Sequence, residues 1–171
     1  MQNLTVRKAV PADIPDILRI TRSAFEQYRV LLGLPLPPAA LTETEEDIAR
    51  DIATKDVRIG FFNGLVAIGC VRCETLSGNV AYISRFSVSP NWQSSGMGHA
   101  LLEAVEQDCR ERGVAALTLH TATRMFALAR FYYGQGFFVH STTDNRGYIR
   151  GLFVKEILPG AHYSLEEAMK R

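Results

Sequence analysis

A strand that must stop, a helix that must follow it and a strand after that helix constrain the fold of this chain more tightly than any other stretch. The run AYISRFSV, ending at Val88, alternates like a half-buried strand, and Pro90 halts it because proline cannot donate to a ladder. After a short glycine-bearing loop, HALLEAVEQDCRERG brings Leu101, Leu102, Val105 and Cys109 to one helical face. Glu103, Glu106, Arg110 and Glu111 take the opposite face, and Gly113 is the expected stop. ALTLHT then reads as a strand. A strand–helix–strand step of this length calls for a parallel crossover.

Upstream, Leu4 to Val10 alternates like a strand, and Pro11-Ala12-Asp13 opens a helix with Ile14, Ile17, Leu18 and Phe25 at helical spacing. Gly33, Pro35, Pro37 and Pro38 form a loop before a short acidic helix starting near Thr42; this loop is either a connector or a substrate-facing lid. From Val57 to Val88, three strand-like runs are separated by Asn63-Gly64 and Ser77-Gly78-Asn79, as in an antiparallel meander. Beyond ALTLHT come a helix through Tyr132 and the strands FFVHSTT and YIRGLFVKEI around the turn Asp144-Asn145-Arg146-Gly147. The order β-α-α-β-β-β-α-β-α-β-β predicts an α/β (α+β) fold, a mixed sheet flanked by helices. With 171 residues, 47% of them hydrophobic, one sizeable core in a single domain is favoured over two marginal ones.

Nineteen basic residues against 18 acidic ones leave a net charge of +1, which offers no global attraction for nucleic acid or an anionic membrane. Any anion site must be local. The start MQNLTVRKAVPAD lacks the apolar stretch of a signal peptide, and no run approaches the roughly 20 apolar residues of a membrane span, so a soluble, cytoplasmic protein is expected. Cys70 and Cys73 form a CxxC inside a strand-like run, where residues three apart point to opposite faces. No second CxxC or histidine pair follows; no metal is expected, and the three cysteines read as buried thiols.

The local anion site lies in SPNWQSSGMGHALL, where a loop with two glycines runs into the N-terminus of a helix. Exposed amides and the helix dipole attract phosphate there; Gly96 and Gly98 would admit a close approach, and Ser94 and Ser95 add hydroxyls. A plain strand–loop–helix connection is the alternative reading. A dinucleotide fingerprint wants a small residue where Leu101 stands, and a P-loop wants GK[ST] where the chain has Gly98-His99-Ala100.

Val88-Ser89-Pro90 followed by Gln93-Ser94-Ser95-Gly96-Met97-Gly98 resembles the acetyl-CoA loop of the GNAT superfamily, Q/R-x-x-G-x-G/A after a strand ending in V-x-P. About 40 residues on, RMFALARFYYGQGF is similar to that family's helix A-x-x-L/F-Y-x-x-x-G-F, with Phe131-Tyr132 and Gly136-Phe137 in register. The resemblance covers nearly the whole chain and implies a GNAT-like, mostly antiparallel mixed sheet. Two departures from the family pattern stand out. Ser94-Ser95 stand where a cation and a glycine are common, leaving the backbone to do most of the pyrophosphate binding. Met125 stands where an asparagine usually begins the second helix.

The implied activity is acetyl transfer from acetyl-CoA to an amine, with acetyl-CoA as cosubstrate. The implied coenzyme site comprises Phe86, Ser87, Val88, Gln93, Ser94, Ser95, Gly96, Met97, Gly98 and His99. In the family a splayed strand leaves backbone groups at the acetyl and pantetheine, here Phe86 to Val88, and an amide there would stabilise the developing oxyanion. Tyr132 resembles the family's tyrosine near the sulfur, whose phenol can protonate the departing thiolate. Tyr133, about 100° round the helix, should point elsewhere. His120 resembles the histidine base of N-terminal amine acetyltransferases, with Glu74 or water as alternatives. The expected partner is a small-molecule amine or a peptide amine, and the sequence leaves a homodimer open. A non-catalytic acyl-CoA sensor would keep the loop without needing Tyr132.

Overall fold

A computed structural model describes residues 3–171. The chain forms β1 (Leu4–Lys8), α1 (Ile14–Leu32), α2 (Glu45–Thr54), β2 (Asp56–Phe62), β3 (Val66–Leu76), β4 (Val80–Val88), α3 (Met97–Glu111), β5 (Ala116–Ala122), α4 (Phe126–Gly134), β6 (Phe138–Thr143), β7 (Arg150–Glu156) and α5 (Glu166–Met169). Among the described residues the strands make one seven-stranded sheet in the order β1-β2-β3-β4-β5-β7-β6. Strands β4 and β5 are parallel, as the crossover through α3 requires, while β1/β2, β2/β3, β5/β7 and β6/β7 are antiparallel. The mixed, mostly antiparallel sheet with flanking helices is the architecture expected from the order of elements.

The chain divides into two compact units, one running to Cys73 and including Arg85–Val105, the other made of Glu74–Ser84 and Glu106–Arg171. In the first, Ile17 and Ile20 form the apolar stripe of α1 and join Ile48 of α2, Val57 and Ile59 of β2, and Ala67 and Cys70 of β3 in one core. The isoleucines and Val57 each stabilise by about 1.5–3 kcal/mol when fully buried. The helix expected near Thr42 begins later, because Thr44 and Asp47 form a capping box: Asp47 N donates to Thr44 Oγ1 (3.3 Å) and Thr44 N donates to Asp47 Oδ2 (3.0 Å). Likewise β1 ends at Lys8, short of the expected Val10, whose amide is claimed by Asp13 Oδ2 at 2.8 Å.

One feature of this unit has no signature in the sequence. Arg72 on β3 is 2% exposed, and its guanidinium grips both oxygens of the buried Glu43, which follows the proline-rich loop, and also Asp51 of α2. Arg85 on β4 lies 3.4 Å from the same Glu43 carboxylate. Buried charges need such mutual pairing, because neither could leave water alone. The end of the loop is therefore anchored while Leu36 at its tip is 76% exposed.

In the second unit, Leu76, Val80, Ala116, Leu152, Val154 and Ala168 share a core. The β4–β5 ladder aligns Val80, Ala81 and Tyr82 with Ala116, Leu117 and Thr118. The four-residue α5 escaped the sequence reading because it shows no helical periodicity; tertiary contacts hold it, with Ser77 N donating to Glu167 Oε2 (2.7 Å) and Ser164 N to Gly78 O (2.8 Å). All three cysteines are buried and none is in a disulfide. Burial pushes the Cys70 thiol up to about 11, which leaves it protonated and unreactive at neutral pH.

Candidate active site

The glycine loop lies in the first unit, and a steric device sets its position. Gly60 of β2 and Gly69 of β3 are paired across the ladder, and a Cβ at either would fall 2.1 Å from Met97 Sδ or 2.7 Å from Met97 Cγ. The two glycines thus form a hollow that receives the first side chain of α3, and Met97 is wholly buried. Its side chain is an anchor, leaving only its backbone to face a ligand. Gly96 takes φ +91°, which a residue with a Cβ adopts only under strain, and Ser94 also has positive φ (+67°). Met97 N reaches Ser95 Oγ at 3.3 Å, and the first helical bond of α3 runs from Ala100 N to Gly96 O. Gly98 and His99 follow Met97 in the first turn of the helix. Gln93, Ser94, Gly96 and His99 are exposed, with the Gln93 amide donating to Gln27 Oε1 at 2.7 Å. On β4 of the same unit, Arg85 has φ +51°, a break in the extended backbone immediately before Phe86, Ser87 and Val88. Ser87 is buried and donates to Arg85 O at 3.2 Å, while Phe86 and Val88 are half-buried.

The second unit holds Tyr132, His120 and Glu74. Tyr132 on α4 is 3% exposed, with its ring 5.4 Å from Phe131, 5.6 Å from Phe137 and 5.6 Å from Phe153 between centroids. Tyr133 is 56% exposed, the separation that a rotation of about 100° per residue demands. Gly136 at φ +90° turns the chain, so that Phe137 N can bond Tyr132 O at 3.0 Å and its ring can reach Tyr132. Met125 occupies the N-cap of helix α4 without a side-chain cap bond, the structural consequence of a thioether where asparagine would serve.

His120 on β5 is joined to the Tyr82 hydroxyl through Nδ1 at 2.8 Å. Burial, with the positive charges of Arg150 and Arg146, lowers His120 from 6.5 to about 4, so the ring is neutral at pH 7. Burial also raises the Tyr82 phenol, against the opposing pull of Arg150, Arg171 and Arg146, so it keeps its proton. Glu74, half-buried near the end of β3, accepts from Arg171 at 3.1 Å, and Arg171 Cζ lies 5.9 Å from the Tyr82 ring centroid. The sequence reading found His120 and Glu74 but missed the Tyr82 and arginine groups between them.

A depressed histidine has a consequence for stability. Between about pH 6.5 and 4 the unfolded chain binds a proton at His120 that the folded chain refuses, so stability falls as pH is lowered through that window. Denaturant melts from pH 7 to 4 should show a shallower loss in His120→Gln than in the parent chain. Parallel curves would mean that His120 titrates alike in both states.

Residues 20–137 match the model of the acetyltransferase (GNAT) family. The chain belongs to the GNAT family. That GNAT match includes the glycine loop, His120 and Tyr132. No curated protein matches the sequence. Among solved structures, PaiA N-acetyltransferase from Thermoplasma acidophilum, in complex with coenzyme A, is similar at 18% identity and TM-score 0.77, over 90% of this chain and 99% of that one. Ard1 from Thermoplasma volcanium is similar at 22% identity and TM-score 0.73, over 91% and 98%. The structure of yncA from Salmonella typhimurium with its cofactor acetyl-CoA aligns at 20% identity and TM-score 0.69, over 93% and 96%. These likenesses establish the GNAT fold. Among the described residues, no group of three or more His, Cys, Asp or Glu forms a metal site, and no helix is long and apolar enough to cross a membrane.

Proposed function

We propose that this GNAT chain works as one cytoplasmic acetyltransferase domain, moving an acetyl group from acetyl-CoA to a primary amine of a small molecule or peptide. The observation that carries this reading is the first turn of α3, entered through the exposed Gly96 at φ +91° and held by the buried Met97, in a chain whose family match includes that loop. The backbone amides there suit a pyrophosphate without any lysine or arginine in the loop, since a helix N-terminus supplies both donors and a favourable dipole.

The thioester supplies the activated acetyl group. On this side of the reaction, Phe86 to Val88 would offer backbone to the carbonyl and pantetheine, after the break in β4 at Arg85. Tyr132 would donate its phenolic proton to the departing sulfur. His120, neutral at pH 7, would orient the amine: in the tautomer whose Nδ1–H donates to the Tyr82 oxygen, Nε2 is left as an acceptor. A ring titrating near 4 cannot strip a full ammonium, whose pKa lies near 10. It would take the proton only as bond formation makes the nitrogen strongly acidic. Glu74 and bound water remain the other acceptors in this proposal.

Acetyl-CoA at about 100 times its Kd should stabilise the protein by about 2.7 kcal/mol. In a chain of this size that raises Tm by roughly 5–10 °C. Gly98→Val, which places a branched side chain in the first turn, should abolish the shift without lowering the Tm of the unliganded protein by a comparable amount. No shift and no calorimetric heat with millimolar acetyl-CoA would refute the proposal.

A further inference from the structure

Arg85 holds a backbone conformation that its residue type does not favour. Among the described residues, Asn63, Asn79, Arg85 and Ser94 are the non-glycine positions with positive φ. The two asparagines occupy hairpin turns, where a short polar side chain tolerates a left-handed backbone, and Ser94 lies in the loop before α3. Arg85 alone stands inside a strand, at φ +51° within Val80–Val88. A residue with a long side chain keeps that conformation only where its surroundings enforce it.

Two contacts within the first unit supply that enforcement. The Ser87 hydroxyl donates to the Arg85 carbonyl at 3.2 Å, which ties down the backbone after the break. On the side chain, Arg85 Nε lies 3.4 Å from Glu43 Oε1, a contact between charges rather than a hydrogen bond, and this nitrogen is buried. Glu43 is in no position to swing toward it. The Glu43 carboxylate is itself buried and gripped by Arg72, which donates to its Oε2 at 2.6 Å and to Asp51 Oδ2 at 2.6 Å. Asp51 in turn pairs with Lys55 at 3.0 Å. The carboxylate is thus a charge fixed from β3 and α2, and its attraction for Arg85 is little screened by water.

We propose that Glu43 is a positioning residue for acetyl transfer: through Arg85 it holds the left-handed break in β4, and the break sets the backbone of Phe86 to Val88 against the acetyl carbonyl. The proposal rests on the acetyltransferase reading above. Glu43 touches no reacting atom and acts by denying the strand its extended course. The pyrophosphate is held elsewhere, at the start of α3, where Met97 sits in the hollow of Gly60 and Gly69. Polarisation of the thioester therefore depends on Glu43 more than coenzyme affinity does.

The probe is acetyl-CoA labelled with carbon-13 at its carbonyl and read by isotope-edited infrared difference spectra, which need no acceptor amine. An amide that donates to the carbonyl lowers its stretching frequency relative to free acetyl-CoA, and the parent chain should show that lowering. Arg85→Ala should lose most of it while the calorimetric Kd weakens only a few-fold. Arg85→Gly discards the same side chain yet reaches φ +51° without a Cβ penalty, so it should keep most of the lowering. A contact that served only to fill space or pair charge would make the two variants equivalent. Glu43→Gln, measured well below its melting temperature, should lose the lowering in the parent background and not in the Arg85→Gly background. Glu43→Asp, which draws the carboxylate back by one methylene, gives the same comparison if Glu43→Gln does not fold. An unlowered band in the parent with acetyl-CoA bound, equal bands in Arg85→Ala and Arg85→Gly, or a Glu43 effect undiminished in the Arg85→Gly background would overturn the proposal. The acetyl-CoA melting shift, measured on the same protein, separates the two readings: with the shift present only the positioning role fails, and with it absent both do.

Discussion

Replacing Tyr132 with phenylalanine is expected to slow acetyl transfer by about 10²-fold or more while leaving acetyl-CoA affinity within a few-fold. The variant is informative because of where the ring sits. Tyr132 is packed among Phe131, Phe137 and Phe153, and phenylalanine keeps every one of those ring neighbours. A merely structural tyrosine would then cost little in rate, whereas loss of a proton donor to a thiolate leaves the leaving group without assistance. Tyr133→Phe is the internal control, since that side chain is 56% exposed and touches the cluster only through Phe153. Steady-state kcat for the two variants, with calorimetric Kd for acetyl-CoA, decides the matter. Small and equal effects would return Tyr132 to the status of a core aromatic.

The second large effect concerns stability. Removing one partner of a buried ion pair costs about 3–5 kcal/mol, because the other charge remains in the interior uncompensated. Glu43→Gln takes the carboxylate from Arg72, which is 2% exposed and keeps only Asp51. At roughly 2–4 °C per kcal/mol for a chain of this size, Tm should fall by about 10 °C. Arg72→Met should destabilise similarly, and the double variant should lose much less than the sum, because the two losses share one cause. Additive losses in thermal melts of the three variants would show that the residues act independently. Since Glu43 ends the proline-rich loop and also meets Arg85 at the break in β4, acetyl-CoA affinity measured on the same variants would reveal whether the network holds the segment before Phe86 in place.

Much of the architecture was legible because local physics dictates it. Pro90 had to end β4, the spacing of Leu101, Leu102, Val105 and Cys109 had to make α3, and together with ALTLHT they required a parallel pair. The glycine loop was legible for the same reason, as its amides belong to a helix start visible in sequence. Met97 was only half legible. It stands in the coenzyme motif, but whether its side chain faces ligand or core depends on Gly60 and Gly69, 37 and 28 residues earlier in the chain.

The surroundings of His120 and Glu74 were legible only in part. His120 stands out as a histidine at a strand end, but its neutral state comes from burial and from arginines 26 and 30 positions away. Tyr82 meets it through the three-residue β4–β5 register, which no pattern within either strand specifies. The buried Arg72–Glu43 pair is likewise silent in a sequence where the net charge is +1 and any ion could be solvent-exposed. By itself, then, the sequence determined the order of elements, the parallel crossover and the helix start suited to a pyrophosphate, because periodicity, proline and glycine act within a few residues. Only the tertiary structure decided which charges are buried, which are paired and which side chain holds the loop, because desolvation and pairing depend on neighbours that the fold assembles from distant parts of the chain.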